Sequence, residues 1–225
     1  MSSGRREVRH PLFARFYRRL SASLEDRGLG EARQRLLAGL AGTVVEVGGG
    51  DGANLRHLPA GVDRVVLVEP EPWLRARARE EAARLAARPG APAYDVVDGL
   101  ADALPLGDGE ADAVVVSLVL CSVPDPVAAV AEARRVLRPG GELRFLEHVR
   151  GGPVQARAQA LLDRTVWPRL FGGCHCGRDA LAALAAGGLP ATDVEHRRFP
   201  RGRAGRLVPV APHVAGRSVK PVARG

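Results

Sequence analysis

Lysine is almost missing from this chain: Lys220 is the only one, although Lys and Arg together number 33 against 25 acidic residues. The formal charge of +8 is therefore carried by arginine, spread thinly with modest clusters at Arg5–Arg6, Arg18–Arg19 and Arg197–Arg206. Aromatic residues are also scarce, at 4%, and are not interleaved with the arginines for base stacking. A solvated basic exterior fits this pattern better than a nucleic-acid surface, and no nucleic-acid partner is expected. There are only three cysteines, Cys121, Cys174 and Cys176, too few and too unevenly placed for a secreted disulfide framework. Long apolar runs are lacking too: Ala113 to Val116 and Leu118 to Cys121 fall far short of a membrane span. The arginine-rich start has no apolar stretch before a cleavage site, so a secretory signal is not expected and a cytoplasmic location is.

What is present is aliphatic. Apolar residues make up 46% of 225 residues, mostly alanine, valine and leucine, enough to bury one large core of helices on a parallel sheet. Residues 10–42 carry two helical patterns and are expected to form an N-terminal cap. In the first, Leu12, Phe13, Phe16, Tyr17 and Leu20 share one face while Arg15, Arg18 and Arg19 lie mostly on the other. Such a basic amphipathic helix can close over a pocket or make peripheral contact with a membrane.

From Thr43 strand and helix alternate. Strands are expected at Thr43–Gly48, Asp63–Pro70, Tyr94–Asp98, Asp112–Leu118 and Glu142–Val149. Helices are expected at Gly52–Leu58, at Glu71–Arg88, and from Pro126 to Arg138 with Asp125 as the cap. Residues 43–150 thus read as a cofactor-binding core. Residues 151–225 would supply acceptor-side helices at Val154–Leu170 and Arg178–Ala186, with final strands near Thr192–Phe199 and Arg206–Val214. The whole chain, 1–225, reads as a single domain of α/β class: a Rossmann-like, mostly parallel seven-stranded sheet with helices on both faces.

The sharpest motif is Glu46-Val-Gly48-Gly-Gly50-Asp-Gly52, between a strand and a helix. Glycines there let the backbone turn tightly and approach a ligand, and free N–H groups follow at the helix start. Glu69 ends the second strand about twenty residues on, where a carboxylate can accept hydrogen bonds from both ribose hydroxyls. Together these point to an adenosine-containing cofactor. The stretch also fits the dinucleotide pattern as Gly48-x-Gly50-x-x-Ala53, which leaves a nicotinamide-dependent oxidoreductase as an alternative. Glu46 favours a cationic or amino-bearing ligand instead, because a carboxylate sits badly beside a pyrophosphate. The sulfonium and amino group of S-adenosylmethionine are suitable partners.

The run Glu46–Gly52 resembles the first motif of Rossmann-like S-adenosylmethionine-dependent methyltransferases, and Val66-Leu-Val-Glu69-Pro70 resembles their second. Asp112 to Leu120 and Arg135-Val-Leu-Arg-Pro139-Gly-Gly141 resemble later motifs, and Gly99-Leu100-Ala101-Asp-Ala-Leu-Pro105 is similar to the adenine-side one. Leu100 stands where many relatives have an aspartate. A narrower resemblance, to the methyltransferase-like alkyl-thiol S-methyltransferases, rests on several short segments. They are Glu46 through Pro59 with Asn54, Leu118 to Val123, Glu147-His148-Val149, Gly173-Cys174, Arg178 and Pro212-His213-Val214. It implies methyl transfer to a small-molecule acceptor, such as a thiol. Oxygen and nitrogen acceptors use the same architecture. Those relatives sit on membranes through an apolar N-terminal segment, and no such segment is expected among these 225 residues.

The cofactor site is accordingly expected to comprise Glu46, Gly48, Gly50, Gly52, Asn54, Glu69, Pro70, Leu100, Ala101 and Ser117. His148, at the carboxyl end of the fifth strand, is the candidate general base, and Cys121, Glu147, Trp167 and Cys174 are candidates to line the acceptor pocket. Cys174-His175-Cys176 invites a metal reading, but adjacent ligands cannot easily all face one ion, and no metal is expected. The sequence sets no oligomeric state.

Overall fold

In the computed structural model, which describes residues 8, 10–199, 208 and 210–222, the β-branched run after Ala41 becomes strand β1 (Gly42–Val47). It lies between two parallel neighbours, β2 (Val62–Val68) and β4 (Ala111–Ser117). Beyond β2 comes β3 (Ala93–Val97), and beyond β4 comes β5 (Leu137–His148), both also parallel. Strand β7 (Pro212–Val219), antiparallel to β5, and β6 (Asp193–Arg198), antiparallel to β7 and so aligned with the rest, complete a seven-stranded sheet in the order β3-β2-β1-β4-β5-β7-β6. Val114, Val115 and Val116 of β4 are at most 2% exposed. Burying each such side chain is worth about 1.5–3 kcal/mol, which makes this the strand that must be central.

Helices α4 (Pro126–Val136) and α7 (Ala180–Ala186) cover one face, packing on Val45, Val47, Val114 and Phe145. On the other face α2 (Gly30–Leu37) and α3 (Pro72–Ala86) pack on Val44, Val65, Leu67 and Leu146. Alternating residues of each strand thus feed two separate apolar layers. The α4 cap forms as its sequence requires: Asp125 Oδ1 accepts the N–H groups of Val127 and Ala128, each at 2.9 Å, and Pro126 occupies the first turn.

The cap begins with α1 (Pro11–Leu24). A wider turn over Glu25–Leu29 separates it from α2, with Gly28 at φ +106°, a conformation that side-chain-bearing residues rarely adopt. That bend lets α1 leave the sheet face covered by α2 and cross the carboxyl ends of the strands. No helix among the described residues is long and apolar enough to cross a membrane.

Three expected elements differ. The helix expected at Gly52–Leu58 is only a 3₁₀ turn at Leu55–His57, because Asn54 turns its side chain inward and Pro59 disfavours helix before it. The helix expected over Val154–Leu170 is two, α5 (Pro153–Arg164) and α6 (Trp167–Leu170), broken at Thr165. Pro168 has no N–H to give to the Arg164 carbonyl, so the helix cannot run through it. The last strand lies at Pro212–Val219 rather than Arg206–Val214, of which 206, 207 and 209 lie outside the described residues. Ala215, Gly216 and Ser218 are weak strand formers, but partners on both edges override that preference.

Candidate active site

The carboxyl ends of β1, β2, β4 and β5 open into one cavity of about 500 Å³. Its cofactor side is built from the glycine turn. Gly48 and Gly50 line the cavity, and a side chain at Gly50 would meet no protein atom closer than the Tyr17 ring at 4.0 Å. The space beside that residue is therefore left for a ligand. Across the turn Glu69 is 5% exposed; Oε2 accepts the Gly50 N–H and Oε1 accepts the Glu71 N–H, both at 2.8 Å. Burial pushes the Glu69 carboxyl up to about 7. Pro70, Leu100, Ala101 and Ser117 also line the cavity, and the buried Ser117 Oγ has no protein partner. An open backbone turn, a carboxylate and an orphaned hydroxyl are what an adenosyl ligand bearing ribose and amino groups requires, so these residues fit S-adenosylmethionine.

Glu46, Gly52 and Asn54 do not line the cavity. Glu46 Oε1 accepts from Asn54 Nδ2 at 2.7 Å, and Asn54 Oδ1 accepts from Arg33 Nη1 at 2.7 Å. Arg33, only 4% exposed, also pairs with Glu25 through Nε at 3.0 Å. This buried chain fastens the cap to the rear of the glycine turn, and burial raises the Glu46 carboxyl to about 7. Gly52 instead lets the turn approach α3, where an added Cβ would lie 3.3 Å from Ala78 Cα.

On the acceptor side, Cys121 follows β4, His148 ends β5, and Cys174 sits in the loop after α6; all three line the cavity. His148 Nε2 is 3.1 Å from Cys174 Sγ, while its buried Nδ1 has no protein partner. Contact with Cys121 and burial hold the Cys174 thiol well above the ordinary thiol range. Trp167 lines the same cavity, stacks on Phe171 with ring centroids 3.9 Å apart, and points Nε1 at Cys174 Sγ at 3.4 Å. Glu147, fully buried, does not face the cavity. Its Oε1 accepts the Val119 and Leu120 N–H groups at 2.8 and 3.0 Å, bracing the turn in which Leu118 takes φ +61°. His175 and Cys176 are turned to the loop itself: His175 Nδ1 lies 2.9 Å from Gly173 O, and Cys176 Sγ bonds Asp163 at 3.1 Å.

The roof is α1. Phe13, Tyr17, Leu20 and Ser21 line the cavity, and Arg18 pairs with Asp51 of the glycine turn at 3.4 Å. Burial lifts the Tyr17 hydroxyl to about 12, so it stays protonated. Several contributors went unassigned in the sequence. Arg33 carries no local signal of burial. Asp102 lines the cavity beside Leu100, so that loop does offer a carboxylate. His213 faces His148 across the β5–β7 ladder, with rings 6.2 Å apart, and burial lowers it to about 4.

A strand order with one reversed strand, β7, next to the edge, and a glycine turn answered by Glu69 at the next strand end, define a Rossmann-like S-adenosylmethionine-dependent methyltransferase. The profile of the methyltransferase domain family matches residues 45–145. The chain is 34% identical over 197 residues to thiol S-methyltransferase TMT1B of Homo sapiens, covering 82% of this chain and 74% of that protein. It is 32% identical over 188 residues to human thiol S-methyltransferase TMT1A, covering 79% and 70%. It belongs to the family of these proteins. A chain from the complex of the Haloferax volcanii Trm112 methyltransferase activator with a methyltransferase superposes at TM-score 0.68 and 19% identity, covering 93% of this chain and 98% of that one, which speaks for the fold.

Proposed function

We propose that this methyltransferase acts on the sulfur of a small thiol. The observation that carries the reading is that one cavity holds both halves of the reaction, Gly48, Gly50 and Glu69 on one side and Cys121, His148, Trp167 and Cys174 on the other. That the relatives are thiol S-methyltransferases supports it. In this reading Glu69 and the Ser117 hydroxyl hold the adenosyl part, with Leu100 and Ala101 along the adenine. S-Adenosylmethionine, when bound, supplies an electrophilic methyl group on a sulfonium sulfur. The His148 imidazole takes the acceptor's proton as the thiolate forms. Trp167 and Phe171 exclude water and press the acceptor toward the cofactor, which matters because in-line displacement depends chiefly on alignment. A thiol demands little of a base, since a few per cent is already ionised near neutral pH. The three free cysteines support a reducing, cytoplasmic setting.

The test is calorimetric titration with S-adenosylhomocysteine on the wild-type chain, Gly50→Arg and Glu69→Ala, followed by matched thiol, phenol and amine acceptors with labelled methyl donor. Tight binding abolished by Gly50→Arg and weakened by Glu69→Ala, with label passing to the thiol alone, is the expected result. Label passing to phenol or amine but not thiol would overturn the acceptor.

A further inference from the structure

We propose that Cys121, His148 and Cys174 bind a zinc ion that takes the acceptor thiol as its fourth ligand. The acceptor part of this rests on the thiol reading above; the metal site does not. The two Sγ atoms and an imidazole nitrogen all lie within 4.8 Å of one another, with His148 Nε2 and Cys174 Sγ at 3.1 Å. A tetrahedral ion with bonds of about 2.0–2.3 Å places its ligand atoms about 3.5–3.8 Å apart, a spacing those values bracket. Three different elements bring the donors together, and the chain between them is cross-braced. The His175 N–H donates to Cys121 O at 2.8 Å, and Arg178 donates to Leu120 O at 2.9 Å and Val123 O at 2.5 Å. The Cys121 turn and the Cys174 loop are thus fixed to each other before any ion arrives. Trp167 Nε1–H points at Cys174 Sγ, the kind of outer contact that steadies a ligating thiolate.

Two thiolates, one imidazole and a ligand-accessible fourth position make the donor set of a catalytic zinc rather than a structural one. All three residues line the cofactor cavity, so the open position faces the acceptor. Zinc binding releases the two cysteine protons to solvent. The acceptor thiol then forms a Zn–S bond as its own proton leaves to water. Its sulfur lone pair forms the S–CH₃ bond while the methyl–sulfonium bond breaks, the electron pair staying on the S-adenosylhomocysteine sulfur. The neutral thioether is a poor ligand and departs. With the ion in place His148 holds metal instead of the proton, and the ion does the work assigned above to the imidazole.

Chelator-treated protein titrated with Co²⁺ tests this by absorption. One equivalent should give a thiolate-to-cobalt charge-transfer band with the strong d–d bands of tetrahedral cobalt, and Zn²⁺ should bleach both. Cys121→Ser and Cys174→Ser should each weaken the charge-transfer band, and the double variant should abolish it. Adding 2-mercaptoethanol should raise it by about half, as two thiolates become three. Calorimetry with S-adenosylhomocysteine on the same samples reports the cofactor half separately and verifies that the variants are folded. Wild-type protein that binds S-adenosylhomocysteine yet gives no cobalt band overturns the metal site, as does a band surviving in the double variant. A band indifferent to 2-mercaptoethanol overturns the ion's role toward the acceptor.

Discussion

Glu69 Oε2 accepts a hydrogen bond from the backbone N–H of Gly50 at 2.8 Å, so one side chain ties the end of β2 to the turn after β1. Its other oxygen is held by the Glu71 N–H. The carboxylate therefore reaches the cavity already aimed, with lone pairs to spare for a ribose. Glu69→Ala should weaken S-adenosylhomocysteine by about 10- to 100-fold, the worth of one or two charged hydrogen bonds. Glu69→Gln, which can still accept from Gly50, should lose less. Calorimetric Kd values for the two variants check the order.

The same burial makes this site respond to pH against the usual direction for carboxylates. Glu69 and Glu46 both sit at about 7 when folded, above the ordinary carboxylate value of 4.5. The folded state therefore binds their protons more tightly than the unfolded state. Their contribution to the ligand-free protein is complete below about pH 4.5 and declines as pH rises to about 7, by up to about 1.4 kcal/mol per pH unit for each group. Denaturant midpoints measured between pH 5 and 7.5 should fall in that window, and less steeply for Glu69→Gln. S-Adenosylhomocysteine affinity should move the other way, strengthening with pH through about 7, because the ionised carboxylate is the better acceptor for ribose hydroxyls.

Arg33 is the buried cation on which the cap's attachment depends. Arg33→Leu removes its bonds to Asn54 and Glu25 and leaves acidic side chains without their counter-charge. A loss of about 3–5 kcal/mol is expected on denaturant unfolding. Arg33→Lys keeps the charge but not the planar fork and should recover part of it.

Gly172 carries the contact between cap and acceptor loop. It takes φ +60°, and an added Cβ would lie 2.5 Å from the Phe13 ring. Gly172→Ala should push α1 outward, at a cost of about 1–3 kcal/mol. Trypsin should then cut faster after Arg15, Arg18 and Arg19, with weaker cofactor binding in the same sample.

What was legible in the sequence follows from distance along the chain. Glu46–Gly52, Glu69 and the Asp125 cap are signals that a few neighbouring residues complete, so periodicity and turn chemistry expose them. Arg33 meets Asn54 across 21 residues, and His148 meets Cys174 across 26. Nothing local marks either pair. Cys174-His175-Cys176 shows the same limit from the other side: its neighbours turn away, and the partners of Cys174 come from two strand ends. Glu147 looks like a pocket residue beside His148, but strand alternation sends it into the core to brace the Val119–Leu120 backbone.

A single helix roofs both halves of this cavity, with Tyr17 beside Gly50 and Phe13 against Gly172. Cofactor and acceptor therefore share one door. Because the same helix borders both halves, a displacement of α1 reaches cofactor and acceptor positions together.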